Sequence, residues 1–181
     1  GPVGFAFAAL YLVWLLNLFN FMDGIDGIAS IEAICVCLGG AVLALQAGQP
    51  DLVAAPLVVA AAVAGFLVWN FPPARIFMGD VGSGFLGIVL GVMSLHAAAA
   101  SADLFWSWAI LLGVFVVDAT LTLMRRLLRG EKVHEAHRSH AYQHASRRYG
   151  HRAVTLATAG ITLAGLFPIA LAVLNGWLPG P

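Results

Sequence analysis

Residues 4–21 read GFAFAALYLVWLLNLFNF and contain no charged side chain. A helix of about 20 apolar residues spans the hydrocarbon core of a bilayer, which is ~30 Å thick. Five more stretches of this kind follow, at residues 28–47, 52–70, 82–100, 104–124 and 153–174. Their length and their lack of apolar–polar alternation argue against strands. The sequence therefore predicts an all-α, polytopic transmembrane bundle of about six spans, with residues 1–181 forming a single integral membrane domain.

The composition is typical of an integral membrane protein, whose partner is the lipid bilayer. Of the 181 residues, 61% are apolar and 10% are charged, and the mean hydropathy is +0.91. Soluble domains carry about 25% charged residues. With so few charges and a net charge of zero, the chain is not a soluble enzyme, a nucleic-acid-binding protein or a disordered tail.

The positions of the basic residues predict the orientation. With six spans, the connecting segments 22–27, 71–81 and 125–152 lie on one side of the membrane. All nine Lys and Arg residues fall on that side: Arg75, Arg125, Arg126, Arg129, Lys132, Arg138, Arg147, Arg148 and Arg152. Because basic residues are enriched in cytoplasmic loops, we expect these three segments to be cytoplasmic.

The first cytoplasmic segment combines amides, carboxylates and glycines in the run Asn17-Leu-Phe-Asn20-Phe-Met-Asp23-Gly-Ile-Asp26-Gly27. Two carboxylates three residues apart at a helix end can face the same way, and the glycines let a ligand approach the backbone closely. The alternative is that the aspartates cap the next helix. A helix cap requires one polar side chain. Two acids and two amides at the end of an apolar span are more than a cap needs, and this favours a binding site.

The second segment, FPPARIFMGDVGSG at residues 71–84, places Asp80 in a glycine-rich turn before a span. Such a turn offers N–H groups to phosphate, and a neighbouring carboxylate can hold a divalent cation that the phosphates share. The alternative is that Asp80 caps the helix and the glycines only add flexibility.

The third segment, residues 125–152, is a basic loop rich in histidine. Spacings of three and four would put His137, His140 and His144 on one helical face. This face could bind zinc, but no Cys or carboxylate completes a familiar zinc site. Histidine and arginine together fit a phosphate or pyrophosphate better. The alternative is a solvated juxtamembrane loop that touches anionic lipid.

Two further acids fall inside predicted spans. Glu32 lies one turn into the second span and could sit at the membrane interface, and Asp118 lies two turns before Arg125. An ionisable group in lipid costs ~2.5–3.5 kcal/mol on insertion scales, so it usually faces protein or a polar cavity. Asp118 could point into the cytoplasmic cleft, or it could pair with Arg125 or Arg126.

Three motifs occur in a fixed order: NFMDGIDG at residues 20–27, FMGDVGS at 77–83 and HRSH at 137–140. Together they resemble the motifs of the polyprenyl-phosphate N-acetylhexosamine-1-phosphate transferases. That family includes the MurNAc-pentapeptide translocase and the enzymes that start O-antigen and related glycans, and the resemblance covers nearly the whole chain. It implies transfer of a sugar 1-phosphate from a UDP-N-acetylhexosamine to polyprenyl phosphate, with release of UMP, at the cytoplasmic face of the bacterial inner membrane.

The resemblance also implies roles for individual residues. The implied catalytic residues are Asp23, Asp26, Asp80 and His140. The implied substrate-binding residues are Asn20, Gly24, Arg75, His137 and Arg138. Asp80 and Asn20 would hold Mg²⁺, with Mn²⁺ as an alternative cofactor, and a homodimer is consistent with the family.

Two departures from the family pattern affect the prediction. Family members have ten or eleven spans and an Asp-Asp pair on an earlier cytoplasmic loop, so this chain resembles the C-terminal part of such an enzyme. Where the peptidoglycan enzymes have a run of histidines, this chain has Tyr142 and Gln143, which favours the subgroup that starts O-antigen or a similar surface polymer.

Two other functions remain as alternatives. One is a catalytically incomplete or degenerate family member with a structural role. The other is a transporter, which the position of the polar motifs at the ends of the spans, and not at their centres, argues against.

Overall fold

The structure is a computed structural model, and it describes residues 1–131 and 139–178. Across this part of the chain every regular element is a helix and none is a strand. The helices are α1 (Pro2–Met22), α2 (Ile28–Gln46), α3 (Ala54–Asn70), α4 (Gly79–Ala100), α5 (Ala102–Leu111), α6 (Gly113–Leu128), α7 (Ala141–Tyr149), α8 (His151–Gly160) and α9 (Phe167–Leu174), with a 3₁₀ turn at Pro50–Leu52 and a π-helix at Ile161–Leu166.

Five helical stretches are long and apolar enough to cross a membrane: Pro2–Met22, Ile28–Gln46, Pro50–Asn70, Gly79–Ala100 and His151–Leu174. The last of these joins α8, the π-helix and α9. A sixth span is present if α5 and α6 are counted together. The predicted all-α membrane bundle is therefore confirmed, and the bounds of these five spans agree with the sequence to within a few residues.

The span predicted at residues 104–124 is divided into two helices, α5 and α6. α5 and α6 meet at an angle of 71°. α5 packs on α2, where Gly39 and Gly40 leave room for Leu111 and Trp108. α6 starts at Gly113, which lies against Leu166 of the π-helix. Glycine in the middle of a helical run is a common cause of a sharp bend, and the bend directs α6 towards α7.

α1 and α4 form an antiparallel pair at very short separation. Cβ atoms built on Gly87 and Gly91 would meet Leu15 and Leu12 of α1, so only glycine allows this approach. Near the middle of α1 the hydroxyl groups of Tyr11 and Ser94 are 2.8 Å apart. Small residues at such positions are typical of helix pairs in membranes. The pairing sets the C-terminus of α1 beside the N-terminus of α4.

The segment predicted as a basic loop at residues 125–152 is largely helical where it is described. Arg125 and Arg126 form the last turn of α6, and α7 covers Ala141–Tyr149. His140 is the N-cap of α7, with extended backbone angles. The predicted helical face of three histidines is therefore wrong for His140 and His144, and His137 lies outside the described residues.

Candidate active site

The three polar segments meet at one end of the bundle. Asp26 accepts a hydrogen bond from the N–H of Ala74 at 3.1 Å, which joins the first segment to the second. The hydroxyl of Tyr142 donates to the carbonyl of Phe21 at 2.9 Å, which joins the third segment to the first. The helix order and these contacts together place the ends of α1, α3 and α6 beside the starts of α2, α4 and α8.

Asn20, Asp23 and Asp80 come together at the end of the α1–α4 pair. The Oδ1 atom of Asn20 accepts a hydrogen bond from Ser83 at 3.3 Å. Asp23 follows the last residue of α1, and Asp80 lies in the first turn of α4. Partial burial and the negative charge of Asp80 raise the pKa of Asp23 to about 7. The carboxylate of Asp80 is thus close enough to that of Asp23 for its charge to disfavour the ionised form of Asp23.

The capping alternatives for these aspartates are wrong. The N-cap of α2 is Gly27 and the N-cap of α4 is Met78, so neither helix has an aspartate at its N-cap. Gly27 has a φ of 75°, in the left-handed region that favours glycine.

The donor atoms near Asp80 suit a hard divalent cation. Two carboxylates and the amide oxygen of Asn20 are the ligand types that Mg²⁺ takes, usually completed by water and substrate phosphates. A cation there would offset the repulsion that raises the pKa of Asp23. In the described residues no group of three or more His, Cys, Asp or Glu side chains is placed to hold a metal by itself.

Asp26 makes four polar contacts with other segments of the bundle. Its carboxylate accepts the N–H of Ala74, and its Oδ1 lies 3.3 Å from Nδ1 of His151. Its backbone N–H lies 3.4 Å from the same nitrogen, and its carbonyl accepts the hydroxyl of Thr155 at 2.8 Å. Asp26 therefore connects the α1–α2 junction to α8 as well as to the segment after α3.

Asn70 is a buried residue that the sequence analysis missed. Its Oδ1 accepts hydrogen bonds from the N–H of Gly27 and the hydroxyl of Ser30, both at 3.1 Å. Its Nδ2 donates to the carbonyl of Ile76 at 2.9 Å. One side chain thus joins the start of α2, the end of α3 and the approach to Asp80. An amide at the end of an apolar span, directly before Phe-Pro-Pro, was the only available signal.

Asp118 binds the start of α7. Its Oδ1 accepts the N–H of Ala141 and its Oδ2 accepts the N–H of Tyr142, each at 3.0 Å. Nδ1 of His140 lies 3.3 Å from Oδ1, and the His140 side chain is buried. Arg126, the alternative partner for Asp118, forms an ion pair with Glu131 at 2.9 Å. Asp118 therefore points towards the cleft.

The remaining candidate residues have distinct surroundings. Gly24 lies directly under the Tyr142 hydroxyl, which leaves no room for a Cβ. Arg75 is exposed, and its guanidinium lies 5.7 Å from the ring centre of Trp69. His137 and Arg138 lie outside the described residues. Glu32 is fully buried and accepts the hydroxyl of Thr162 at 2.8 Å, so it faces protein, as expected of an ionisable group within a span.

A large groove adjoins this cluster. Its volume is about 1240 Å³, and it runs along α6 between α7 and the last span. Apolar residues line its deep part, near the middle of the bundle: Val114, Val117, Ala157, Ile161 and Leu166. Basic residues line its end, where α6 stops: Arg125, Arg126, Arg129 and His144. Met22 and Tyr142 also line the groove, so it reaches the α1–α2 junction.

Comparison with known proteins identifies the family. The model of glycosyl transferase family 4 matches residues 2–98, which is more than half of the chain. This match includes the α1–α4 pair and the segments that hold Asn20, Asp23, Asp26 and Asp80. The chain belongs to glycosyl transferase family 4, and the resemblance seen in its motifs is confirmed.

Similar curated proteins have related names. The chain is 38% identical over 146 residues to the probable undecaprenyl-phosphate N-acetylglucosaminyl 1-phosphate transferase of Bacillus subtilis, covering 76% of this chain and 40% of that protein. It is 40% identical over 88 residues to the phospho-N-acetylmuramoyl-pentapeptide-transferase of Moorella thermoacetica, covering 49% of this chain and 28% of that protein. The chain thus spans less than half the length of these relatives.

Proposed function

We propose that the chain carries part of the active site of a transferase that moves an N-acetylhexosamine 1-phosphate from a UDP-sugar to polyprenyl phosphate, releasing UMP. The observation that carries this proposal is the approach of Asp23 and Asp80, from different helices, beside a groove that changes from apolar to basic. Family membership and the names of the relatives support it. The product would be the first lipid-linked intermediate of O-antigen or a related cell-envelope polysaccharide.

The groove suits the lipid acceptor. An isoprenoid tail would lie against Val117, Ile161 and Leu166, in the part of the groove that is nearest the middle of the bundle. The phosphate would lie near Arg125 and Arg129, because guanidinium groups bind phosphate oxygens through charge-assisted hydrogen bonds. Met22 and Tyr142 would then bring the phosphate close to the carboxylate cluster.

The cluster at the α1–α4 end suits the diphosphate of the donor. Asn20, Asp23 and Asp80 would hold Mg²⁺, or Mn²⁺ in its place. When bound, the cation offsets the negative charge of the diphosphate and of the leaving phosphate. The fixed α1–α4 packing keeps these ligands in position before substrate arrives, which lowers the reorganisation needed for the reaction.

In the proposed reaction an oxygen of the lipid phosphate attacks the β-phosphorus of the UDP-sugar. The bond from the β-phosphorus to the bridging oxygen breaks, and UMP leaves with that oxygen. Because a phosphate monoester has its second pKa near ~6, the attacking oxygen is already anionic at neutral pH. The residues of this chain therefore need only to orient the substrates and balance their charge. The surrounding basic residues support a cytoplasmic location for this site.

UMP release by membranes that contain the chain tests the proposal. The assay supplies polyprenyl phosphate, Mg²⁺ and a panel of UDP-N-acetylhexosamines. Release with one donor, abolished in Asp80→Asn while membrane insertion is unchanged, is the expected result. Release that is equal in Asp80→Asn, or absent with every donor even when the remaining region of the Bacillus subtilis relative is co-expressed, would overturn the proposal.

A second candidate function is a structural or incomplete part of such an enzyme. If the role is only structural, co-expression with the remaining region of the Bacillus subtilis relative would not restore UMP release, whereas the first function predicts that it would.

A further inference from the structure

The position of α7 on the bundle depends on contacts at both of its sides. On one side the carboxylate of Asp118 accepts the N–H groups of Ala141 and Tyr142. On the other side the Tyr142 hydroxyl donates to the carbonyl of Phe21, the residue before the last of α1. Tyr142 is only 6% exposed, so this helix is seated on the bundle and not merely near it.

The same contacts reach the carboxylate cluster. The Tyr142 hydroxyl sits directly over Gly24, the residue after Asp23. Burial raises the pKa of Tyr142, and the charges of Asp118 and Asp23 raise it further, so the phenol lies near both carboxylates. Gln143 donates to the Tyr142 oxygen at 3.2 Å and fixes its direction.

We propose that Asp118 and Tyr142 are positioning residues, which hold α7 against the α1–α2 junction and thereby fix the backbone that carries Asp23. This inference rests on the proposed function for its catalytic consequence, but its structural part does not. Asp118 holds two N–H groups through two different oxygens, and only a carboxylate offers both; asparagine offers one. Tyr142 acts through the Phe21 carbonyl, so it need not touch a substrate.

Hydrogen exchange in lipid nanodiscs tests the structural part. Asp118→Asn and Tyr142→Phe should each accelerate exchange in residues 139–149 and in residues 21–27, by about tenfold for Asp118→Asn, since local opening sets the exchange rate. Tyr11→Phe is the matched control. It also removes one interhelical hydroxyl contact, of 2.8 Å, but in the middle of α1, ten residues before Phe21, and should change neither segment. Unchanged exchange in residues 21–27 in both test variants would overturn the inference.

Turnover tests the catalytic consequence. Both test variants should lower kcat about tenfold and leave KM for the UDP-sugar unchanged, while Tyr11→Phe keeps the wild-type kcat. Gly24→Ala should also lower kcat, because its methyl group meets the Tyr142 hydroxyl. Adding Tyr142→Phe to Gly24→Ala should then restore part of the lost turnover.

The two proposals fail in different ways. Accelerated exchange with unchanged kcat would overturn the positioning role. A wild-type chain that releases no UMP, even with the remaining region of the Bacillus subtilis relative co-expressed, would overturn the proposed function alone, because hydrogen exchange would still decide whether Asp118 and Tyr142 fix the α1–α2 junction.

Discussion

Asn70 shows how one buried side chain can organise a site without belonging to its reactive groups. It is 3% exposed, and its amide bonds to Gly27, Ser30 and Ile76. Gly27 follows Asp26 in the chain, and Ile76 precedes the turn that holds Asp80. The amide therefore couples the two acidic segments through the end of α3.

We expect Asn70→Ala to lower the free energy of unfolding by about 1–3 kcal/mol, since it leaves buried polar groups without partners. UMP release should fall as well, because the hydrogen bonds of Asn70 to Gly27 and Ile76, which hold the two acidic segments, are lost. Asn17→Ala is the control: its Nδ2 donates to the carbonyl of Val13 within α1, and the loss of this local contact should have a much smaller effect. Thermal unfolding in detergent measures both variants, and equal melting temperatures would contradict the role given to Asn70.

The residues of the cluster differ in how well sequence could predict them. Asn20, Asp23 and Asp80 stand out because polar side chains are rare in an apolar chain, and all three lie in motifs of a known family. Asn70 and Tyr142 act through backbone groups of distant segments, and such partners depend on tertiary packing. Asp118 stood out as an acid inside a span, but its partners, two N–H groups at the start of α7, did not.

The α1–α4 pair determines where Asn20 meets Ser83. Its separation is set by Gly87, on which a Cβ would meet the carbonyl of Leu15 and lie 2.9 Å from Cα of Leu16. Backbone atoms cannot move aside as a flexible side chain can. Gly87 and Gly91 are therefore a structural requirement of the pair.

Gly87→Ala should lower the free energy of unfolding by about 1–3 kcal/mol, as overpacking of a tight interface does. Gly65→Ala in α3 is the matched control, because nothing lies within 4 Å of a Cβ at that position. That control should be neutral or slightly stabilising, since alanine favours a helix over glycine. Equal unfolding temperatures for the two variants would contradict the close packing of α1 on α4.

The groove beside α6 exists because α5 and α6 are not one straight helix. The sequence predicted a single span at residues 104–124, since an apolar run does not reveal a bend. The 71° turn depends on how α5 seats on the glycines of α2 and how Leu166 meets Gly113. These are tertiary contacts between distant segments, so hydropathy could predict the helices here but not their break.

If the basic end of this groove binds the acceptor phosphate, Arg129→Gln should raise KM for polyprenyl phosphate about tenfold, because a charged hydrogen bond is lost. KM for the UDP-sugar should not change. Arg148→Gln is the control, since Arg148 lies on the neighbouring α7, against the ring of Tyr149, but does not line the groove. Equal effects of the two substitutions would indicate a general response to lost positive charge.

The molecule as a whole has its polar chemistry at one end of an apolar bundle. The contacts that join the three polar segments, such as Asn20 with Ser83 and Asp26 with His151, lie at this end. The same end carries Arg75, Arg125, Arg126 and Arg129, whereas the segments at residues 48–51 and 101–103 have no basic residue. This asymmetry is the basis of the predicted cytoplasmic location.

Cysteine labelling from outside intact cells tests that location. The cysteine of an Arg148→Cys variant, at an exposed position of α7, should not react with a membrane-impermeant maleimide until the membrane is permeabilised. A cysteine at Asp51→Cys, in the exposed turn between α2 and α3, should be labelled at once. The wild-type chain is the negative control and should not be labelled, because Cys35 and Cys37 are buried. The reverse pattern would contradict the orientation, and it would place the proposed site on the side of the membrane where basic residues are disfavoured.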